Sequence, residues 1–346
     1  MVEMKVFAAC LTTLVLGSSG VAFAGGDVTV TLTPRGEQVA AEIGTSAQAL
    51  AQQLDDKIDD AYRTYDVDGF LRAFANAAAF SNRGIGVDYA SNSSLILGIA
   101  ANAAVSVENF KGDNGYPVGG ASTNASIMLG YNLASFGLPR LTVFGNGGYL
   151  KSQVGKLNGG LFNAGIHGQW KLITPTTTGE LLLKWGGLDV TGGIEITRWN
   201  VGLADAIGTD FTIDGTTADL NAHVVADGKF DLTSTSTVIP IELTTSLRIG
   251  YFLSLYGGAG VDTQTGKTKV DASIAGDITA DNPMTNQTET IGRATVTMSG
   301  TGTPSVGRLR GLAGLQINAW KLKAFAQVNY MPTATASVAT GIRLAF

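Results

Sequence analysis

Apolar and polar residues alternate with a period of two along most of the chain after residue 94. Successive side chains of a β-strand point to opposite faces, so this pattern indicates strands with one apolar and one polar face. The alternating segments run for about ten to fifteen residues, more than a usual soluble strand, which suits a tilted strand that crosses a membrane. They lie near residues 94–106, 162–172, 219–231, 269–279 and 320–330.

A soluble β-sandwich also alternates, with its apolar faces turned inward, and it stays the alternative architecture. Aromatic residues favour the membrane barrel because they fall at the ends of the apolar faces, where an interfacial girdle is expected. These residues are Trp170, Tyr251, Trp320, Tyr330 and Phe346. After the N-terminus no uncharged apolar run is long enough for a helical span, so a membrane-crossing chain of this composition must close into a barrel.

The last strand, residues 334–346, has an apolar face that ends at Phe346. Its Gly341, Leu344 and Phe346 resemble the C-terminal insertion signal of bacterial outer-membrane β-barrels, although Ala339 stands where that signal usually has a polar residue. The resemblance implies insertion into outer-membrane lipid and recognition of the last strand by the barrel-assembly machinery.

The turn residues predict an all-β transmembrane barrel of about 14 antiparallel strands over residues 93–346, with about 12 as the alternative count. Tight turns and longer polar connections largely alternate, as periplasmic turns and outer loops do in such barrels. Residues 203–216 and 233–238 are both predicted to be connections, with a strand at Phe211 and Ile213 left open as the alternative. An even number of strands places both ends of the barrel in the periplasm.

Residues 25–92 are predicted to form an acidic, helical N-terminal segment, because Leu50, Leu54 and Ile58 recur at helical spacing. Residues 1–72 carry five basic and ten acidic side chains, a charge of −5, whereas residues 73–346 carry 18 of each. Three placements of the helical segment stay open: as a plug in the lumen, across the periplasmic mouth, or against a periplasmic partner.

Residues 1–24 have the pattern of a cleaved signal peptide. Lys5 provides a basic start, Phe7 to Val21 are apolar or small, and Ala22-Phe23-Ala24 is a cleavage motif. Export predicts localisation in the cell outer membrane. Cleavage leaves a mature chain without cysteine, because Cys10 is the only one; lipidation at Cys10 is the less favoured alternative.

Charge is unevenly distributed over the polar faces of the predicted strands. A basic lumen wall is predicted from Arg308, Arg310, Lys321, Lys323 and Arg343. An acidic, histidine-containing strand in the lumen is predicted from Asp219, His223, Asp227 and Asp231. Opposed walls of this kind set a field across a channel and favour anions at the basic side. The alternative is that the charges pair with each other, or with the acidic helices, and close the lumen.

No catalytic residue, metal site or cofactor is predicted. Histidine, the commonest general base, occurs only as His167 and His223, and the chain has no Gly-x-Ser-x-Gly motif. A hydrolase site at His223, with its neighbouring aspartates, is the third and least favoured function.

The favoured function is therefore non-enzymatic: a channel or porin-like surface protein. The alternative is a surface-exposed adhesin or structural barrel with a blocked lumen. Residues 187–202 and 247–267 are similar to a poorly characterised set of diderm surface proteins, some of them described as adhesins. The predicted partners are outer-membrane lipid, the assembly machinery, and a small solute or an extracellular ligand, with no nucleic acid.

Overall fold

A computed structural model describes residues 27–62, 67–90, 93–109, 118–175, 182–281, 287–332 and 334–346. The predicted signal peptide lies outside these residues. Helices α1, α2 and α3 span Pro34–Glu42, Ala47–Tyr62 and Val67–Phe80, and a short 3-10 helix spans Leu133–Phe136. Twelve strands form one sheet: β1 (Asp27–Leu32), β2 (Leu95–Asn109), β3 (Val118–Asn132), β4 (Leu141–Val154), β5 (Leu157–Ile173), β6 (Leu183–Ile213), β7 (Leu220–Ile249), β8 (Leu253–Asp281), β9 (Thr288–Gly302), β10 (Gly307–Ala319), β11 (Leu322–Met331) and β12 (Thr335–Ala345).

The sheet closes on itself. Each strand from β2 to β8 pairs antiparallel with the next, β8 pairs with β10, and β10, β11 and β12 lead back to β2. Strands β10 and β9 follow one another along the same edge of β8, as one strand interrupted at residues 303–306. The ring therefore contains ten strands: β2–β8 and β10–β12.

The predicted transmembrane barrel with an N-terminal helical segment is confirmed. The described strands within residues 93–346 number eleven, β2–β12, and ten of them form the ring, which is fewer than the predicted 14 and the alternative 12. The reason is that β6, β7 and β8 have 31, 30 and 29 residues and each runs on without a turn. Residues 203–213 and 233–238, both predicted to be connections, are strand. Residues 233–238 are all threonine, serine or valine, and residues 203–213 include two threonines and two isoleucines, so both stretches are compatible with a strand.

We call the end of the barrel at Leu95 and Phe346 the terminal end, and the opposite end the extension end. Beyond the ring, β6–β9 continue at the extension end and β1 adds to the edge of β9. We call this five-stranded part the extension. From Leu232 back to Leu220, β7 would reach roughly 40 Å at about 3.4 Å per residue.

The ring has an apolar outer surface. On β2, β5 and β12 the outward side chains include Leu97, Ile166 and Val338, with exposed fractions of 42%, 55% and 55%. Large apolar side chains that are half exposed around the whole ring need lipid as their solvent, so the ring spans a membrane. In the described residues, none of the helices has the length and apolarity needed for a membrane span.

The extension has the opposite polarity, because its inward face is apolar and its outward face is polar. Helices α1 and α2 cover the inward face: Val39, Ile43, Leu50 and Leu54 pack with Ile278 and its neighbours on β6–β9. Thr33 caps α1 by accepting a hydrogen bond from the N–H of Gly36 at 3.1 Å, and Ser46 caps α2 by accepting one from Ala49 at 3.0 Å.

Arg35 joins α1 to the extension. Its Nε donates to Glu289 Oε2 at 2.7 Å and its Nη1 donates to Glu42 Oε1 at 2.9 Å. The hydrogen bond to Glu289 holds the pKa of the Arg35 guanidinium above its ordinary value.

We predict that a charged substitution on the outward face of β7 destabilises the barrel in the ring but has little effect in the extension. Ile241 lies in the ring and Val225 in the extension, with exposed fractions of 59% and 55%. Ile241→Arg should destabilise the folded barrel by about 2–4 kcal/mol, because a cation on the lipid face loses hydration. Val225→Arg should change the free energy of unfolding by less than about 0.5 kcal/mol, because that face meets water.

Urea unfolding in lipid vesicles, followed by the mobility difference between boiled and unboiled samples, measures both variants. Equal effects of the two substitutions would contradict the membrane boundary between these residues.

Candidate functional site: the barrel lumen

The chain itself fills the lumen. After α3 ends at Phe80, the chain passes from the extension end towards the terminal end, and residues 81–89 are all buried. We call residues 81–90 the lumen segment. Gly84 has a φ of +82°, and a Cβ there would lie 2.9 Å from the side chain of Gln327, so the segment needs glycine at this bend.

Helix α3 closes the extension end of the lumen. Its Phe74 packs edge-on against Trp199 of β6, with ring centroids 6.4 Å apart. Gly120 of β3 lets the helix approach, because a Cβ there would lie 2.2 Å from the backbone nitrogen of Phe74. Asn76 Oδ1 accepts a hydrogen bond from the N–H of Ser305, at the interruption between β9 and β10.

Arg83 connects the lumen segment to two acidic side chains of the wall. Its Nη2 contacts Glu195 of β6, and its Nε lies 3.6 Å from Asp262 Oδ2 of β8. The exposed fractions of these three side chains are 3% or less. Glu195 Oε1 also lies 3.3 Å from Nε2 of the buried His167.

A second group of buried charges centres on Arg310 of β10. Its Nε lies 3.1 Å from Asp262 Oδ2, and its Nη2 contacts Glu242 of β7. Tyr89 of the lumen segment donates its hydroxyl to Glu242 Oε2 at 2.7 Å. Asp262 and Glu242 therefore join the barrel wall and the lumen segment in one continuous polar network.

The third anchor lies near the terminal end. Arg343 Nη1 lies 3.3 Å from Asp88 Oδ1, and Arg343 Nη2 donates to the carbonyl oxygen of Val87 at 2.7 Å. The Arg343 guanidinium also stacks on the ring of Phe325, 3.7 Å from its centroid. The lumen segment is thus held along its length by Arg83, Tyr89 and Asp88.

Four of the five residues predicted for the basic wall lie in the lumen. Arg308, Arg310, Lys323 and Arg343 are buried, with exposed fractions of 8%, 1%, 7% and 0%. Lys321 was misplaced by the prediction, because it lies in the turn between β10 and β11. Its ammonium nitrogen lies 4.6 Å from the Phe346 ring centroid and 5.0 Å from that of Trp320.

The placement of the acidic strand in the lumen is wrong. Asp219, His223, Asp227 and Asp231 are all exposed on the outer side of the extension. His223 Nδ1 contacts Asp210 there. The alternation itself is present in β7, but the polar face points outward and the apolar face points inward. The apolar face of this part of β7 packs on helices and not on lipid.

Of the residues of the predicted insertion signal, Gly341 and Leu344 lie on β12 and Phe346 directly follows it. Leu344 and Phe346 point outward with exposed fractions of 43% and 49%. A Cβ at Gly341 would lie 2.4 Å from the carbonyl oxygen of Ile99 and 2.6 Å from the Phe325 ring, so this position requires glycine. Their part in insertion stays a prediction.

Sequence reasoning missed the acidic side chains of the lumen: Glu195, Glu242 and Asp262, together with Asp88 and Arg83. A usable signal does exist for two of them. Glu195 lies between Ile194 and Ile196, and Glu242 lies between Ile241 and Leu243, so each is a single charge with two apolar neighbours. An ionisable residue at membrane depth marks a functional position and a buried partner.

These features define a membrane-spanning β-barrel whose lumen is occupied by its own N-terminal chain. The model of the Lsa36-like family matches residues 24–346, and the chain belongs to the Lsa36-like family. No curated protein matches the chain significantly.

Among solved structures, the chain is similar to the attachment invasion locus protein Ail of Yersinia pestis: 14% identity, 73% of this chain and 99% of Ail covered, TM-score 0.24. The translocator domain of the autotransporter NalP from Neisseria meningitidis gives 11% identity, 74% and 90% coverage, and a TM-score of 0.29. A FadL homologue of Pseudomonas aeruginosa gives 9% identity, 81% and 98% coverage, and a TM-score of 0.25. TM-scores this low carry no argument about function.

We predict that Arg83→Gln destabilises the barrel by about 3–5 kcal/mol, because it leaves Glu195 buried without its cation. The double variant Arg83→Gln/Glu195→Gln should regain at least about 1 kcal/mol of this loss. Lys156→Gln is the control: it removes the Lys156–Asp205 pair, whose side chains are 60% and 52% exposed, and should cost less than about 1 kcal/mol. The urea unfolding midpoint in lipid vesicles gives the three values. Additive effects of the two lumen substitutions would exclude coupling between Arg83 and Glu195.

Proposed function

We propose that this protein is a non-enzymatic surface protein of the outer membrane, whose barrel is an anchor closed by the lumen segment and whose extension presents a binding surface outside the cell. The observation that carries the proposal is the complete burial of residues 81–89 inside the ring. A lumen filled in this way favours the blocked barrel over the open, porin-like channel.

The orientation follows from the ends of the ring. Outer-membrane barrels have both ends of the barrel chain on the periplasmic side, where β2 begins and β12 ends here. The extension end then faces the outside. Strand β1 and helices α1 and α2 lie with the extension, so the chain would pass through the lumen from the cell surface to the periplasm. In this proposal α1 and α2 lie on the cell-surface side, which differs from the two periplasmic placements that the sequence left open beside the lumen plug.

The outer side of the extension offers the chemistry of a binding surface. It carries paired charges, with Arg293 Nη1 3.0 Å from Asp277 Oδ1 and Lys269 Nζ 2.7 Å from Asp271 Oδ2. Polar faces of this kind stay soluble in water and bind partners through charge complementarity. We propose an extracellular ligand as the partner, while the assembly machinery and outer-membrane lipid act on the ring.

A gated channel is the second candidate. It is favoured by the polar character of the network, because the ion pairs and hydrogen bonds of the lumen segment can be exchanged for water when the segment moves. The third candidate, a hydrolase site in the lumen, depended on His223 facing the lumen. It is no longer supported, because His223 lies on the outer side of the extension.

Planar-bilayer recording separates the two candidates. We expect the mature full chain to give no discrete conductance steps over several hundred millivolts, because the lumen is filled by its own chain. A variant that lacks residues 27–90 should conduct if it folds, and its boiled and unboiled mobility on a gel reports folding. Regular openings of the full chain would favour the gated channel and contradict the anchor.

Surface labelling tests the orientation. An epitope inserted in the turn between Asp214 and Asp219, at the tip of the extension, should bind antibody on intact cells. The matched control is the same epitope between Gly250 and Phe252, at the terminal end, which should be detected only after the outer membrane is permeabilised. The reverse result would contradict the proposed orientation.

A further inference from the structure

A groove on the outer surface of the ring is distinct from the lumen network. It has a volume of about 410 Å³ and lies across β4, β5 and β6. Gly159 and Gly160 form its floor, Tyr149 and Phe162 one side, and Lys151, Arg198 and two asparagines line the rest. Tyr149 and Phe162 have exposed fractions of 69% and 40%.

The strand register fixes the order of these side chains. Tyr149, Phe162 and Arg198 face each other in one row across the three strands, and Lys151, Gly160 and Asn200 form the next row towards the extension end. All six positions face outward. Gly160 therefore leaves a gap between Lys151 and Asn200, in the row directly beyond the aromatic side chains.

The groove lies where the apolar outer surface ends. Towards the terminal end, the outward residues of β5 and β6 include Ile166 and Ile194, with exposed fractions of 55% and 42%. Towards the extension end, Asn158 and Asn200 are exposed. The aromatic pair thus marks the interface between hydrocarbon and headgroups, and the two cations lie at headgroup depth.

Both cations can reach one ligand. Lys151 lies on β4 and Arg198 on β6, with β5 between them, and their rows are two residues apart along the strands. This puts their Cα atoms about 10–12 Å from each other. Side chains of this length can converge over Gly160. Within the described residues neither cation belongs to a salt bridge. Arginine and lysine together are a common phosphate-binding pair, with arginine donating two hydrogen bonds and lysine acting as a point charge.

We infer that this groove binds the phosphate group of an anionic membrane lipid in the leaflet at the extension end. The lipid is the occupant to which the geometry points, because its acyl chains would lie on the apolar surface below Tyr149 and Phe162 while its phosphate meets Lys151 and Arg198. A free phosphate ion would use the two cations and leave the aromatic side of the groove unused.

The test uses the mature full chain in micelles of a zwitterionic detergent, with short-chain phosphatidic acid as the probe. Short-chain phosphatidylcholine and inorganic phosphate are the comparison ligands, and isothermal titration calorimetry measures the dissociation constants. Phosphatidic acid should bind at least tenfold more tightly than either of the others. Lys151→Gln/Arg198→Gln should weaken its binding at least about tenfold.

Two further variants serve as controls. Lys57→Gln/Arg72→Gln also removes one lysine and one arginine, both exposed on helices α2 and α3, and should change binding less than twofold. Gly160→Leu fills the gap without changing charge and should weaken binding of phosphatidic acid at least about fivefold. Its folding is checked by gel mobility, since a Cβ at Gly160 meets its nearest atom only at 3.9 Å.

Three results would overturn the inference. Unchanged binding by the Lys151/Arg198 variant would show that these cations do not hold the phosphate. Equal binding of phosphatidylcholine would show that the groove does not select an anionic headgroup. Equal binding of inorganic phosphate would identify an ion site with no lipid specificity.

Discussion

Strands β6, β7 and β8 pass without interruption from the membrane to water, and a continuous strand cannot change which of its residues point inward. On β7 the even-numbered residues face inward along nearly the whole strand. In the ring these are Pro240, Glu242 and Thr244, and in the extension they are Leu220, Ala222 and Val224. The chain therefore exchanges the polarity of its two faces between Leu232 and Ile239. The positions of the membrane, the lumen and the helices all depend on this exchange.

The exchange has opposite consequences for the two inner faces. In the extension the inner face is apolar, so it needs a cover, and α1 and α2 provide one through a conventional hydrophobic core. In the ring the inner face is polar and partly charged, so its cover must satisfy hydrogen bonds and charges. The lumen segment provides Arg83, Asp88 and Tyr89 for this purpose. The N-terminal chain thus first covers the apolar inner face of the extension and then, further along the sequence, the polar inner face of the ring.

The sequence predicts the ring better than the extension. The orientation of β12 is predicted correctly, with Ile342 and Leu344 outward and Arg343 inward. Lipid surrounds the ring, so the apolar face of an alternating strand there must point outward. The same alternation around His223 is ambiguous, since an apolar face can pack on lipid or on helices and periodicity does not distinguish them. Helix α2 follows from a local signal, the helical spacing of Leu50, Leu54 and Ile58. The partners of Arg83 do not, because Glu195 and Asp262 are more than 100 residues away in sequence.

The composition of the lumen network bears on whether the lumen segment can move. Three buried cations, Arg83, Arg310 and Arg343, contact four buried carboxylates, Asp88, Glu195, Glu242 and Asp262. Arg310 pairs with Glu242 and Asp262 within the wall, so the wall keeps a cation for these acids if the segment leaves. Among the described residues, Glu195 and Arg343 lack a second charged partner of this kind in the wall. If the segment left, Glu195 would lose Arg83 and Arg343 would lose Asp88. Because breaking a buried pair costs more than a surface pair contributes, leaving the lumen is favourable only if water enters as the segment withdraws. The network therefore favours the closed lumen of the proposed anchor, and in that proposal an opening would need a ligand or force that acts on the N-terminal chain at the extension end.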